Sequence, residues 1–237
     1  MTPPVALTVA GSDPGGGAGI QADLRTWAAL GVHGTTVVTA LTVQDTRAVH
    51  ALHRVEPGVI RAQLDAVVAD LPPAATKTGL LAARPVVELV AEAASAGRLG
   101  PLVVDPVLTA SVGSELTPAD LAGTYLSLLV PVAAVVTPNL PEAAWLTGRP
   151  VASLPEMEGA ACRLLEVGAG AVVVTGGHLA ASDGRVVDVL ATADGVLRLD
   201  RPRVTTGNAH GTGCTYSAAL TAHLARGAAV TEAAEAA

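Results

Sequence analysis

Short β-branched runs alternate with Ala/Leu-rich stretches from one end of the chain to the other, and this alternation limits the fold more than any other feature. Val5 to Ala10, Thr35 to Leu41, Ala75 to Thr78, Leu102 to Asp105, Ala133 to Thr137 and Ala171 to Thr175 read as strands. Ile20 to Leu30, Val59 to Ala69 and Pro85 to Ala96 read as the helices between them. The last three strands are unbroken apolar runs, the pattern of strands covered on both faces. Strands joined through helices pair in parallel, so the pattern predicts an α/β fold with a mainly parallel central sheet flanked by helices on both faces. Arg185 to Leu199, with Asp194-Gly195 between two Val/Leu-bearing runs, predicts a β-hairpin added to that sheet as an edge or a lid.

No linker, repeat or shift in composition divides the chain, and 237 residues, 50% of them hydrophobic, suffice for one domain over residues 1–237. With two Trp, two Tyr and no Phe, the core must be packed with Ala, Val and Leu. Thr231 to Ala237 read as the opening turns of a C-terminal helix that stops without a terminating signal, an incomplete element. A net charge of −7 without a basic cluster argues against nucleic acid as a partner. The apolar runs are interrupted before the roughly 20 residues of a membrane span, and the first ten residues lack a basic leader. The two cysteines, Cys162 and Cys214, are too few for a disulfide framework. Together these features predict a cytoplasmic protein that acts on a small molecule.

In an open parallel sheet, ligands bind beyond the carboxyl ends of the strands. The polar residues fall there: Gly11 to Gly19, Gln44 and Asp45, Asp105 to Gly113, Thr137 to Glu142, and Thr175 to His178. The most informative segment runs from Thr205 to Thr215 and contains His210-Gly211-Thr212-Gly213-Cys214 ahead of an Ala-rich helical run, Tyr216 to Ala225. Glycines let successive N–H groups converge, and the helix adds its positive end, so Gly211, Thr212 and Gly213 suit an anion hole. An ordinary helix start with glycines serving only the turn is the other reading. Cys214 is open to two readings as well, a thiolate favoured by the helix end or a small residue packed under the turn.

The glycines between Gly11 and Gly19 match neither the dinucleotide fingerprint nor the P-loop; they suit close approach of a flat ligand or a flexible turn equally. The primary amide of Gln44 offers the donor and acceptor that an aminopyrimidine complements, unless it is a surface glutamine. Asn139-Leu140-Pro141-Glu142 presents an amide and a carboxylate that suit either a water-mediated Mg²⁺ station or a helix cap.

In combination, Ala10 to Asp23, Thr39 to Thr46, Thr76 to Leu81, Asp105-Pro106-Val107, Thr137 to Ala143, Gly176-Gly177-His178 and Asn208 to Ser217 resemble the hydroxymethylpyrimidine/phosphomethylpyrimidine kinase family of the ribokinase superfamily. The resemblance implies a ribokinase-like fold and transfer of the γ-phosphoryl group of ATP, with Mg²⁺, to 4-amino-5-hydroxymethyl-2-methylpyrimidine and its monophosphate in thiamine biosynthesis. It implies that Gln44 binds the pyrimidine with Gly11, Ala18, Asp23, Leu80 and Val107 around it, and that Cys214 is the catalytic base beside the anion hole. Asp105, Asn139 and Glu142 are the implied metal or nucleotide residues, and a homodimer is the implied assembly. Two departures stand out: Thr175 occupies the place of a lysine before Gly-Gly-His, and relatives continue for roughly another helix beyond Ala237. A pyridoxal kinase and a non-catalytic pyrimidine-binding module are the alternatives.

Overall fold

A computed structural model describes residues 2–109, 116–179, 184–204 and 210–237. Nine strands form one sheet in the order β3-β2-β1-β4-β5-β6-β7-β8-β9. They are β1 (Val5–Ser12), β2 (His33–Gln44), β3 (Val49–Arg54), β4 (Ala75–Thr78), β5 (Leu102–Val104), β6 (Val135–Val136), β7 (Val172–Val174), β8 (Arg185–Thr192) and β9 (Gly195–Pro202). The run from β2 through β7 is parallel, while β3 at one edge and β8 and β9 at the other are antiparallel. The mainly parallel α/β sheet expected from the sequence is therefore present.

The predicted hairpin is present too, turning at Asp194-Gly195 with Thr192 opposite Gly195. It extends the sheet as an edge. Strand β3 was not anticipated. Its sequence, Val-His-Ala-Leu-His-Arg, shows little contrast between its faces because neither face is fully buried. The turn before it is set by Asp45, whose Oδ1 accepts the amides of Arg47 and Ala48.

The helices are α1 (Gly19–Ala29), α2 (Pro57–Asp70), α3 (Arg84–Ser95), α4 (the single turn Ala122–Thr124 within a wound segment over 119–132), α5 (Leu140–Thr147), α6 (Leu154–Val167), α7 (Thr212–Ala225) and α8 (Val230–Ala236). Alternation along the strands divides them between two layers. Ala6, Ala75, Val103, Val135, Val173 and Leu190 face α1, α7 and α8. Their neighbours Leu7, Leu102, Val104, Val136, Val172 and Val174 face the layer containing α2, α3, α5 and α6. Each central strand thus buries both faces, which explains its unbroken apolar composition. Trp27 of α1 is fully buried and donates its indole N–H to the Ala218 carbonyl of α7 at 2.8 Å. Burial of a side chain of that size contributes about 3 kcal/mol and locks together the two helices that border the site.

Strand β1 pairs with β2 on one side and with β4 on the other, so the chain builds the sheet outward from β1 in one direction and then in the other. This is the topological switch point of the sheet, where a crevice opens beyond the strand ends.

Candidate active site

A cavity of about 640 Å³ occupies that crevice. Gly11, Ser12 and Asp13 come to it from the end of β1, Gln44 from β2, Lys77 and Leu80 from β4, and Asp105 and Val107 from β5. Asn139 and Glu142 follow β6, Thr175 follows β7, and Gly211 to Cys214 open α7. Segments separated by up to 200 residues are therefore neighbours because each lies at the carboxyl end of a strand or at the helix start beside it.

Glycine is required where the loop after β1 meets the start of α7. Gly211 precedes α7 with φ +78°, and a Cβ there would overlap the Gly17 carbonyl. The loop itself is folded around the Asp13 side chain. Oδ1 accepts the Gly15 amide at 2.9 Å, and Oδ2 accepts those of Gly17 at 3.2 Å and Ala18 at 2.9 Å. The glycines thus build a rigid wall around a buried carboxylate rather than a slack turn.

Beneath the cavity lies a polar row that follows from strand periodicity. Thr8 and Lys77 are register partners on β1 and β4 and lie on the faces of Ala6 and Ala75, towards α1 and α7. Asp105 follows β5 two residues after Val103, on the same face. Lys77 Nζ, fully buried, contacts Asp23 Oδ1 of α1 at 2.9 Å and Asp105 Oδ2 at 3.5 Å. Thr8 donates to Asp23 at 2.6 Å, and Ser217 of α7 donates to Asp105 at 2.9 Å. Burial by itself would lower the Lys77 ammonium, but the carboxylates of Asp23 and Asp105 outweigh it and hold the ammonium well above its ordinary value. Desolvation raises Asp23, with Lys77 and Thr8 opposing.

The expected site residues divide into those that line the cavity and those held elsewhere. Gly11, Ala18, Gln44, Leu80, Val107, Asp105, Glu142, Gly211, Thr212, Gly213 and Cys214 all line it. Asp23 does not: it is fully buried behind Lys77, so its carboxylate serves the ion pair, not a ligand contact. Asn139 borders the cavity, but its side-chain oxygen accepts the Glu142 amide at 3.0 Å while Glu142 accepts the Asn139 amide at 2.9 Å. This reciprocal capping box starts α5 and engages one oxygen of each side chain at the cavity wall. Cys214 stands in the first turn of α7 as expected, partly exposed at the cavity wall, in surroundings that disfavour its thiolate in the unliganded chain. Burial pushes the thiol up to about 12, Asp105 and Asp23 reinforce that, and Lys77 with the Gly19 amide only partly oppose it. Glu142 is raised to about 8 by burial and by Asp105. Residues 205–209 and 110–113 of the anticipated loops lie outside the described residues.

The sequence reading passed over Lys77, the sole lysine among 14 basic residues, because a lysine in a four-residue strand carries no motif. Asp13 and His210 were also missed as a pair, although His210 Nε2 stands 2.9 Å from Asp13 Oδ2. Each lay inside a glycine-rich segment that had been judged by its glycines.

Residues 13–237 match the family model described as phosphomethylpyrimidine kinase. The chain belongs to that family. It is a small-molecule kinase with a ribokinase-like fold. It is 46% identical over 235 residues to the hydroxymethylpyrimidine/phosphomethylpyrimidine kinase of Rhizobium meliloti, covering 98% of this chain and 87% of that protein. The phosphomethylpyrimidine kinase of Clostridium difficile superposes with a TM-score of 0.83 at 35% identity, covering 98% of this chain and 94% of that one. An ADP complex of Bacillus subtilis pyridoxal kinase superposes with a TM-score of 0.90 at 37% identity, covering 99% of this chain and 88% of that one. Kinases of both named classes thus share the fold, and the cavity contents must separate the two.

Proposed function

We propose that this chain transfers the γ-phosphoryl group of ATP to the hydroxymethyl oxygen of 4-amino-5-hydroxymethyl-2-methylpyrimidine, and to its monophosphate, in the cytoplasmic synthesis of thiamine. One observation carries this reading: a single cavity holds the Gln44 amide, apolar walls from Leu80 and Val107, and the start of α7 with Cys214. The amide suits an aminopyrimidine edge, and the small and apolar walls from Gly11, Ala18 and Val107 suit its ring. The first turn of α7 presents backbone donors and the positive helix end to a transferring phosphoryl group, the form of stabilisation that dominates this chemistry.

Cys214 is the base in this reading, and its charge environment sets the conditions. The proton of the attacking hydroxyl leaves late in a loose transition state, so the base need not be ionised before the ligands arrive. Lys77 is the countercharge for a thiolate at position 214, and Asp105 and Asp23 oppose it. Of the carboxylates that line the cavity, Asp13, Asp105, Glu142 and Asp188, the anticipated pair is Asp105 and Glu142, and no group of three metal-ligating side chains occurs among the described residues. That donor set fits Mg²⁺, which keeps several waters and needs only one or two carboxylates with nucleotide phosphates. When bound it supplies charge neutralisation on the phosphates. Thr175 lines the cavity where the family carries a lysine, which leaves the backbone donors and this cation to meet the phosphate charge. Leu41 and Val43, half-exposed on β2, support a homodimer as the assembly.

Purified protein with ATP, Mg²⁺ and hydroxymethylpyrimidine should release ADP, and Cys214→Ala should reduce that release by about 100-fold or more while preserving pyrimidine binding. Faster turnover with pyridoxal would replace this reading with pyridoxal kinase. Pyrimidine binding without turnover would make the chain a binding module.

A further inference from the structure

Three segments far apart in sequence meet at the imidazole of His210. Its Nε2 lies 2.9 Å from Asp13 Oδ2 and 3.4 Å from Gln44 Nε2. The ring packs against Gly17, where a Cβ would overlap it. The hydrogen-bond roles at this junction follow from elementary bookkeeping. Burial would raise the Asp13 carboxyl, but its bonds from His210, Ala18 and Gly15 outweigh that and hold it below its ordinary value. Asp13 is therefore a carboxylate, an acceptor with no hydrogen to give, so the Nε2 that faces it carries one.

The other ring nitrogen, Nδ1, is buried with no hydrogen-bond partner among the described residues. A bare lone pair there costs less than an unpaired N–H, which makes the neutral Nε2–H tautomer the one that fits. An Nε2–H cannot accept from an amide N–H. The Gln44 Nε2 placed beside it exchanges with the carbonyl oxygen by a half-turn of the amide, and that half-turn sets an acceptor against the Nε2–H in place of a second donor. The NH₂ group is left for the cavity that Gln44 lines.

We infer that His210 is a positioning residue for substrate selection: held by Asp13, it fixes the Gln44 amide so that its NH₂ meets a ring-nitrogen acceptor of the pyrimidine. The inference rests on the pyrimidine kinase reading and adds the direction of the recognition bond to it. A ligand that presents a donor at that edge meets a donor and is disfavoured. The same contact holds the Gly15–Ala18 wall against the start of α7, so base recognition and the phosphoryl-binding turn share one anchor.

The test compares His210→Gln with His210→Leu. The glutamine amide nitrogen can take the place of Nε2 and donate to both neighbours, whereas leucine keeps most of the volume and donates nothing. Calorimetric titration with hydroxymethylpyrimidine should show binding within about 5-fold of wild type for His210→Gln and about 10- to 100-fold weaker for His210→Leu, the range for loss of a bond to a charged group. Affinity for the ATP analogue AMP-PCP should change by less than about 3-fold in both, and KM for the pyrimidine should rise more than kcat falls. Equal losses in the two variants, or equal weakening of nucleotide and pyrimidine, would overturn the inference. If wild type binds no pyrimidine, the functional reading fails on its own. A long-range ¹H–¹⁵N spectrum of unliganded wild type still decides the His210 geometry: a proton on Nε2 upholds it, and one on Nδ1 alone overturns it.

Discussion

Replacement of Lys77 by methionine is the most demanding test of the charge network under the site. The ammonium is fully buried, 2.9 Å from Asp23 and 3.5 Å from Asp105. With an effective dielectric constant of about 20, those separations correspond to gross attractions of about 6 and about 5 kcal/mol. Desolvation of three ions offsets most of that sum, so the pair adds little net stability over an apolar filling. Removal of the lysine alone is different, because Asp23 stays buried with only Thr8 to satisfy it. The expected loss is about 3–5 kcal/mol, the range for a buried pair broken on one side. For a chain of this size it corresponds to a fall in Tm of about 6–20 °C. Lys77→Met/Asp23→Asn removes the orphaned charge and should recover at least about 2 kcal/mol of that loss. Thermal unfolding followed by circular dichroism, with urea titration for the free energies, measures both. Lys77→Met within 1 kcal/mol of wild type, or a double variant no more stable than the single one, would refute the reasoning.

Two further predictions concern groups at the cavity wall. Because burial holds the Cys214 thiol near pKa 12, iodoacetamide should modify it slowly in the unliganded protein at pH 7.5, and the rate should still be climbing at pH 10. Peptide mass spectrometry reads the rate at Cys214, and a plateau near pH 8 would show a thiolate site instead. The Glu142 carboxyl is raised from 4.5 to about 8, so between those pH values the unfolded chain loses a proton that the folded one keeps. Its contribution to stability is present below pH 4.5 and declines as pH rises to 8. Urea midpoints should therefore fall relative to Glu142→Gln across that window, and parallel profiles for the two proteins would contradict the assignment.

The sequence carried the architecture because periodicity is a local record of burial. Strands covered on both faces, such as Val172–Val174, have no choice but to be apolar throughout, and the helices between them force parallel pairing. It also carried the positions of Gln44 and of Gly211 to Cys214, since glycines before a helix and polar residues after apolar runs mark strand ends in any sheet of this type. What it determined was the place of each candidate along the chain. Tertiary structure decided what each one touches. Asp23 reads as a cavity carboxylate until Thr8 and Lys77, register partners on the face towards α1, are found to hold it between that helix and the sheet. Asn139 and Glu142 read as an isolated amide and carboxylate until each is found to cap the other's backbone N–H. Cys214 remains at the helix start foreseen for it, but its protonation is set by burial and by Lys77, Asp105 and Asp23, which belong to β4, the end of β5 and α1. Charge interactions depend on separation in space and on exclusion of water, and neither quantity is written in the order of residues along a chain.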